Sequence, residues 1–184
     1  MNSFLHQHLE KEYLFACNRG GDIFQHLPVL KNYADRCESV TEFGVRAGIS
    51  SRAFLFSDAR RIRMYDLMLD PTVVSLVEFC QSHGRDVQYQ RANTLSLEID
   101  HTDMLFVDTL HTYQQLQAEL ARHSLKAAKY MAFHDTFTFG TKDEGDWGGP
   151  GLLTALVQWL AANTSWQVDY HTHINNGLTV LRRR

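Results

Sequence analysis

Two carboxylates and two imidazoles follow two apolar runs: Asp108 and His111 come after Met104-Leu-Phe-Val107, and His134 and Asp135 come after Tyr130-Met-Ala-Phe133. Asp108, His134 and Asp135 make a ligand set suited to a hard or borderline divalent ion such as Mg2+ or Mn2+. Without an ion, Asp108 would face a cationic group of a ligand and His134 would hydrogen-bond across neighbouring strands. His111, with an ordinary pKa near 6.5, suits proton removal around neutrality; alternatively it stands at a helix start and supports Asp108. A second group lies upstream. Glu42-Phe-Gly44-Val-Arg-Ala-Gly48-Ile-Ser50 lacks the Gly-x-Gly-x-x-Gly spacing of dinucleotide binders. Gly44 permits a sharp turn with close approach of a ligand, and Gly48 lets a helix start pack near a strand. Glu42 before the first glycine repels a pyrophosphate and favours a cation. Asp66, at the end of the next apolar run, can accept from both hydroxyls of a ribose, or can cap the helix that begins near Pro71. Together these residues describe a nucleoside whose far end is positively charged.

Bringing such distant residues together requires a parallel sheet, because the carboxyl ends of its strands share the edge where ligands settle. From about residue 39 the chain alternates short apolar runs with amphipathic stretches, the rhythm of an α/β domain. The pattern predicts strands at 39–43, 61–65, 86–90, 104–107, 130–133, 166–170 and 178–181. The unbroken apolar run 104–107 belongs in the middle of the sheet, covered on both faces. Helices are predicted from Ser50 to Asp58, from Pro71 to the stop at His83-Gly84, from Tyr113 to His123 and from Leu152 to Ala162. Asn175-Asn-Gly177 is a hairpin-type turn signal between the last two strands. The expected fold is therefore doubly wound α/β, with a mostly parallel seven-stranded sheet, helices on both faces and the last strand antiparallel. Residues 1–38 form a helical cap over the sheet edge or the pocket, and residues 39–184 form the ligand-binding domain.

At 184 residues, 44% hydrophobic and 21% charged, the chain can bury one sizeable core, which excludes a disordered tail. A net charge of -3 disfavours nucleic acid as a partner, and the basic run from Arg182 to Arg184 is too short to change that. No stretch approaches the ~20 apolar residues of a membrane span, and Glu10, Lys11 and Glu12 do not resemble a secretion signal. A soluble, cytoplasmic protein without a membrane partner is expected. Cys17, Cys37 and Cys80, odd in number and without a Cys-x-x-Cys pair, read as small buried fillers. The remaining histidines, His26 and His123 among them, share no ligand spacing and are expected mostly in solvent.

The Glu42-Phe-Gly44 turn, Asp66, Met104-Leu-Phe-Val-Asp108-Thr-Leu-His111-Thr-Tyr113, Phe133-His-Asp135-Thr and Asn176-Gly-Leu-Thr-Val180 resemble the class I S-adenosylmethionine-dependent methyltransferases. Within that superfamily the likeness, over about residues 39–182, is to the branch of the macrocin and rhamnosyl O-methyltransferases and cephalosporin hydroxylase-like proteins. Phe106-Val-Asp108-Thr-Leu-His111-Thr-Tyr113 is similar to the branch's Phe-Ile-Asp-Gly-Asp-His-x-Tyr, with Thr109 and Leu110 replacing a glycine and an acidic residue. The resemblance implies that Glu42, Gly44, Gly48 and Ser50 surround the methionine portion of S-adenosylmethionine, with Asp108 beside it. It implies that Asp66 holds the ribose and that Asn93 lies near the adenine. It also implies a metal at the matching strand ends, although His134 stands where some relatives carry an acidic residue.

The implied reaction is O-methylation of a small molecule, a sugar or natural product. A sugar hydroxyl has a pKa of roughly 16, and metal coordination can bring a bound oxygen near 7, a difference of about 12 kcal/mol at ~1.4 kcal/mol per unit. Metal plus base therefore suits an alcohol, with His111, Asp108 and His134 as the catalytic group. Residues 136–150, rich in glycine, acidic residues and aromatics including Trp147, read as a mobile flap over the acceptor. Two other readings compete: a metal-dependent hydroxylase-like or hydrolytic enzyme, and a non-catalytic nucleoside-binding module. A homo-oligomer is compatible with the sequence.

Overall fold

The protein is described from a computed structural model covering residues 3–145 and 148–184. Helices α1 (Ser3–Asn18) and α2 (Leu27–Ala34) precede strand β1 (Ser39–Phe43); then follow α3 (Ile49–Leu55), β2 (Arg61–Asp66), α4 (Pro71–Ser82) and β3 (Asp86–Arg91). The chain continues through β4 (Thr102–Val107), α5 (Tyr113–His123), β5 (Ala127–His134), α6 (Leu152–Ala162), β6 (Trp166–Thr172) and β7 (Leu178–Arg183). The seven strands form one sheet in the order β3-β2-β1-β4-β5-β7-β6. β7 alone runs antiparallel to its neighbours, inserted as a hairpin partner between β5 and β6. The expected topology is the observed one.

Alternation along each central strand divides the interior in two. Val40, Ile62, Met104 and Phe106 face one layer, where they pack with Leu5, Leu9, Leu27, Leu30, Phe54 and Val73 of α1 to α4. Phe43, Leu105, Val107, Met131 and Phe133 face the other, against Leu116 and Leu120 of α5 and Leu152 and Leu156 of α6. This two-sided burial is why β4 reads as an unbroken apolar run. Each fully buried Phe or Leu here contributes about 1.5–3 kcal/mol through apolar surface removed from water.

Local chemistry sets the helix ends. Asp70, not Asp66, caps α4: its Oδ1 accepts from Thr72 N at 2.8 Å and Val73 N at 3.1 Å, with Pro71 in the first turn. Thr112 caps α5 by accepting from Gln115 N. α3 stops short of the expected Asp58, because the chain turns after Leu55 and Ser57 Oγ donates to Phe54 O at 2.6 Å. The leader divides after Asn18, where Gly20 and Gly21 take φ values of 77° and 95°.

Cys37 and Cys80 are buried as expected, whereas Cys17 is only half-buried; burial pushes the Cys37 and Cys80 thiols up to about 12 and about 11. Two histidines expected in solvent lie in the interior instead. His123 reaches Thr94 O at 2.7 Å and packs edge-on to Phe43, while His26 belongs to the site described next. Among the described residues no helix is long and apolar enough to cross a membrane.

Candidate active site at the carboxyl edge of the sheet

The parallel register pairs Phe43 with both Tyr65 and Val107, and Val107 with Phe133. The residues that follow, Gly44, Asp66, Asp108 and His134, therefore emerge at one edge. Gly44 has φ 80°, and a Cβ there would lie 1.8 Å from the carbonyl oxygen of Asp108. The close approach it permits is between the ends of β1 and β4, and Gly44 also lines a hollow at this edge. Gly48, with φ 68°, starts α3 against Val73, whose Cγ2 would lie 2.6 Å from an added Cβ.

Asp66 fixes the glycine turn. Its Oδ2 accepts from Val45 N at 2.7 Å and Arg46 N at 2.8 Å, and its Oδ1 accepts from Met68 N at 3.1 Å. Arg46 holds a left-handed conformation, φ 48°, between these bonds, a strain that surrounding contacts must maintain.

Two hollows meet at Arg46 and Asp108. The larger, about 310 Å³, is lined by Asp66, Leu67, Asn93, Leu95, Leu110 and Gln115 as well as these two residues and Gly44. A carboxylate at one end and leucines elsewhere suit a ribose and an attached base. The smaller, about 220 Å³, is bounded by Arg19, Asp22 and Ile23 of the leader and by Ser50 of α3. With Arg19 and Arg46 set against Asp22 and Asp108, its charges complement a zwitterion; Arg46 and Asp22 are paired at 3.1 Å. The leader is thus a wall of the pocket.

Glu42 is placed differently from the expectation. It is fully buried beneath the smaller hollow, accepting from Ser50 Oγ at 2.5 Å and Ser51 Oγ at 2.7 Å, and it lines neither hollow. Burial pushes its carboxyl up to about 8 against the lowering pull of the two serines, with Asp108 and Asp66 adding to the rise. Ser50 stands between Glu42 and any ligand.

Beside Asp108 lies a cluster of carboxylates and imidazoles. His111 Nε2 sits 2.8 Å from Asp135 Oδ2 and 3.1 Å from Asp108 Oδ1, while its Nδ1 meets Glu144 Oε2 at 2.9 Å. His134 Nδ1 is 3.3 Å from Asp108 Oδ1 and 3.4 Å from Asp135 Oδ2. Asp135 has φ 58°, and its buried Oδ1 has no hydrogen-bond partner. Asp108, His111 and Asp135 each offer a ligand atom within 4.8 Å of the others. The tightest triad thus includes His111 where His134 had been expected. Ligand spacing near 3 Å and an orphaned carboxylate oxygen suit a six-coordinate hard cation, whose cis oxygens lie about 3 Å apart.

Burial lowers the pKa of both imidazoles, but bonds and charge from Asp108 and Asp135 outweigh it and carry each to about 10. Burial likewise raises the two aspartates, and the imidazoles overcome it to hold both below the usual carboxylate range. With carboxylates facing both of its ring nitrogens, His111 holds a proton near neutrality, against the expectation of a neutral base.

The described residues after Asp135, in the segment expected to be a mobile flap, contact the cluster and the start of α5. Glu144 N donates to His111 O, Phe139 stacks on the His111 ring at 5.0 Å and 4°, and Asp143 Oδ1 accepts from Tyr113 N and Gly151 N. Trp147 lies outside the described residues.

Sequence reasoning missed His26 and Asn175. Asn175 Oδ1 accepts from Ile23 N at 2.8 Å, and its backbone oxygen faces His26 Nε2 at 2.9 Å and His134 Nε2 at 3.3 Å. The closing hairpin thereby clamps the leader to the cluster. Asn-Asn-Gly announced only a turn; its partners in the leader lie about 150 positions away.

The sequence matches no protein-family model and no curated protein sequence. Solved structures do match. The S-adenosylhomocysteine-bound methyltransferase PaMTH1 of Podospora anserina aligns over 100% of this chain and 89% of its own, with 17% identity and a TM-score of 0.59. The N-methyltransferase NodS of Bradyrhizobium japonicum, in complex with S-adenosylhomocysteine, aligns over 97% and 98%, with 13% identity and a TM-score of 0.63. An O-methyltransferase family protein of Burkholderia thailandensis aligns over 87% of this chain and 55% of its own, with 13% identity and a TM-score of 0.60. With the strand order and the antiparallel last strand, these likenesses establish that the chain has the Rossmann-like fold of S-adenosylmethionine-dependent methyltransferases.

Proposed function

We infer that the protein is an S-adenosylmethionine-dependent O-methyltransferase acting on a hydroxyl of a small molecule, a sugar or natural product, with a divalent metal assisting. One observation carries this reading: the two hollows, one suited to a nucleoside and the other to an amino-acid zwitterion, join at Asp108 beside the His111–Asp135 cluster. S-adenosylmethionine and S-adenosylhomocysteine have that shape and charge.

In this reading Asp66 and Asn93 hold the nucleoside side. Ser50, Arg46 and Asp22 meet the amino-acid end, with Glu42 acting through Ser50. Residues 1–38 serve as a cap that completes the wall through Arg19–Ile23. Asp108 and Asp135 would hold Mg2+ or Mn2+, with His134 supporting both carboxylates and His111 beside them left as the proton acceptor. When bound, the ion makes the acceptor hydroxyl more acidic and the cofactor supplies an electrophilic methyl group. The protein aligns acceptor and methyl and moves one proton. His111 accepts that proton only while Asp108 and Asp135 are engaged by a cation other than its own imidazolium.

The test combines S-adenosylhomocysteine calorimetry with methyl transfer to a panel of sugars and hydroxylated natural products, in EDTA and in Mg2+ or Mn2+. Expected are binding of the nucleoside and turnover that EDTA abolishes. Turnover unaffected by EDTA removes the metal from the reading; metal binding without nucleoside binding overturns the reading as a whole.

A further inference from the structure

Asn175, in the turn before β7, meets the leader with both polar atoms of its side-chain amide. Its Oδ1 accepts from Ile23 N at 2.8 Å and its Nδ2 donates to Gly21 O at 3.2 Å, so one amide reads a donor and an acceptor of the same short backbone segment. The pairing fixes which way the amide points, because turning it over would set oxygen against oxygen and N–H against N–H. Asn175 holds φ 44°, a left-handed conformation that asparagine tolerates better than most residues.

The segment so held needs outside support. An added Cβ at Gly20 or Gly21 would meet nothing within 4 Å, so packing does not fix the turn there. Ile23 is buried with φ 69°, a conformation that β-branched residues rarely adopt and that surrounding contacts must maintain. Residues 19–23 nevertheless form one wall of the smaller hollow, with Ser50 and Asp108 also lining it. Asn175 lines neither hollow, so whatever it does for a ligand it does through this wall. Its backbone oxygen, meanwhile, faces His26 Nε2 of the leader and His134 Nε2 of the cluster.

We propose that Asn175 is a positioning residue for the amino-acid end of the ligand: its side-chain amide shapes residues 21–23 into the wall of the smaller hollow, and its backbone oxygen seats that wall against the cluster. The proposal rests on the inferred cofactor site. Without the amide, Ile23 N and Gly21 O lose this partner, and the glycine-rich turn spreads over several conformations. Binding must then restore the wall, which lowers affinity for a ligand that reaches it and spares a ligand that does not.

Calorimetry on the full chain with S-adenosylhomocysteine and methylthioadenosine tests this. The two share nucleoside and sulfur, and the second carries a methyl group in place of the amino-acid chain. Wild type is expected to bind S-adenosylhomocysteine at least about 10-fold more tightly. Asn175→Gly removes the amide while keeping the left-handed turn and its backbone oxygen. It should weaken S-adenosylhomocysteine about 10-fold and leave methylthioadenosine within about 3-fold. Asn175→Asp keeps an acceptor for Ile23 N but sets a second acceptor against Gly21 O, and it should lower the ratio of the two affinities at least about 3-fold. A merely structural role would weaken both compounds alike, and that result overturns the proposal, as do unchanged affinities in Asn175→Gly. Equal affinities in wild type overturn it and leave the nucleoside site standing; binding of neither compound by wild type overturns the nucleoside site itself. If Asn175→Gly binds neither compound, the Asn175→Asp ratio decides: an unchanged ratio, or loss of both compounds there too, refutes the assignment.

Discussion

Substituting alanine at two glycines of nearly equal backbone conformation separates local strain from the closeness of β1 to β4. Gly44 has φ 80° and Gly84 has φ 81°, so alanine at either position pays a similar left-handed cost, about 1–2 kcal/mol. Their surroundings differ. An added Cβ at Gly84 meets nothing within 4 Å, whereas at Gly44 it falls 1.8 Å from the Asp108 carbonyl oxygen and 2.6 Å from its carbonyl carbon. Those atoms are backbone at the end of the central strand, so relief requires β4 or the turn to move, adding about 1–3 kcal/mol of overpacking. Gly84→Ala should therefore cost about 1–2 kcal/mol and Gly44→Ala about 2–5. In a chain of this size each kcal/mol lowers the melting temperature by about 2–4 °C. Melting curves of the two variants should differ by several degrees, and only Gly44→Ala should weaken S-adenosylhomocysteine binding, because Asp108 and the Asp66-held turn move with it. Equal melting temperatures with unchanged binding in both variants would refute the claim that Gly44 is required by the approach of the two strands.

Removing the carboxylate in Asp66→Ala leaves three turn amides without their acceptor and should weaken S-adenosylhomocysteine at least about 10-fold by calorimetry; unchanged affinity would detach Asp66 from the nucleoside. His111→Ala should cut methyl transfer at least about 100-fold while cofactor binding stays nearly unchanged, and intact turnover would remove His111 from the chemistry. In EDTA, stability should depend on pH through the imidazole cluster. His111 and His134 are raised from 6.5 to about 10, so their contribution is complete below pH 6.5 and is lost as pH climbs toward 10. The same contacts, seen from Asp108 and Asp135, are lost as pH falls through the lowered carboxylate range. The melting advantage of wild type over His111→Asn should accordingly shrink between pH 6.5 and 10, whereas a constant difference would contradict the raised imidazoles.

What could be read in advance was set by local chemistry. The unbroken run of β4 marked a central strand, Pro71 and His83-Gly84 bounded α4, and the alternation of elements led to the doubly wound sheet and its convergent strand ends. What escaped depended on contacts between distant segments. Glu42 could be placed on a strand end, but which way its carboxylate turned was decided by Ser50 and Ser51 across the turn. His111 and His134 were both visible as candidates; which of them lies nearer the two carboxylates depends on how separate strand ends meet. The raised imidazoles arise from two carboxylates on different strands, a field that no single segment contains. His26 lay in a helical leader with no periodic reason to be buried until Asn175, at the opposite end of the chain, closed over it.

The most direct test is a crystal structure of the protein soaked with S-adenosylhomocysteine. The predicted result is one molecule spanning both hollows, with the ribose hydroxyls at Asp66, the base beside Asn93 and Gln115, and the amino-acid end near Ser50 and Asp108. An empty crevice, or one that takes a phosphate-bearing dinucleotide instead, would contradict the account.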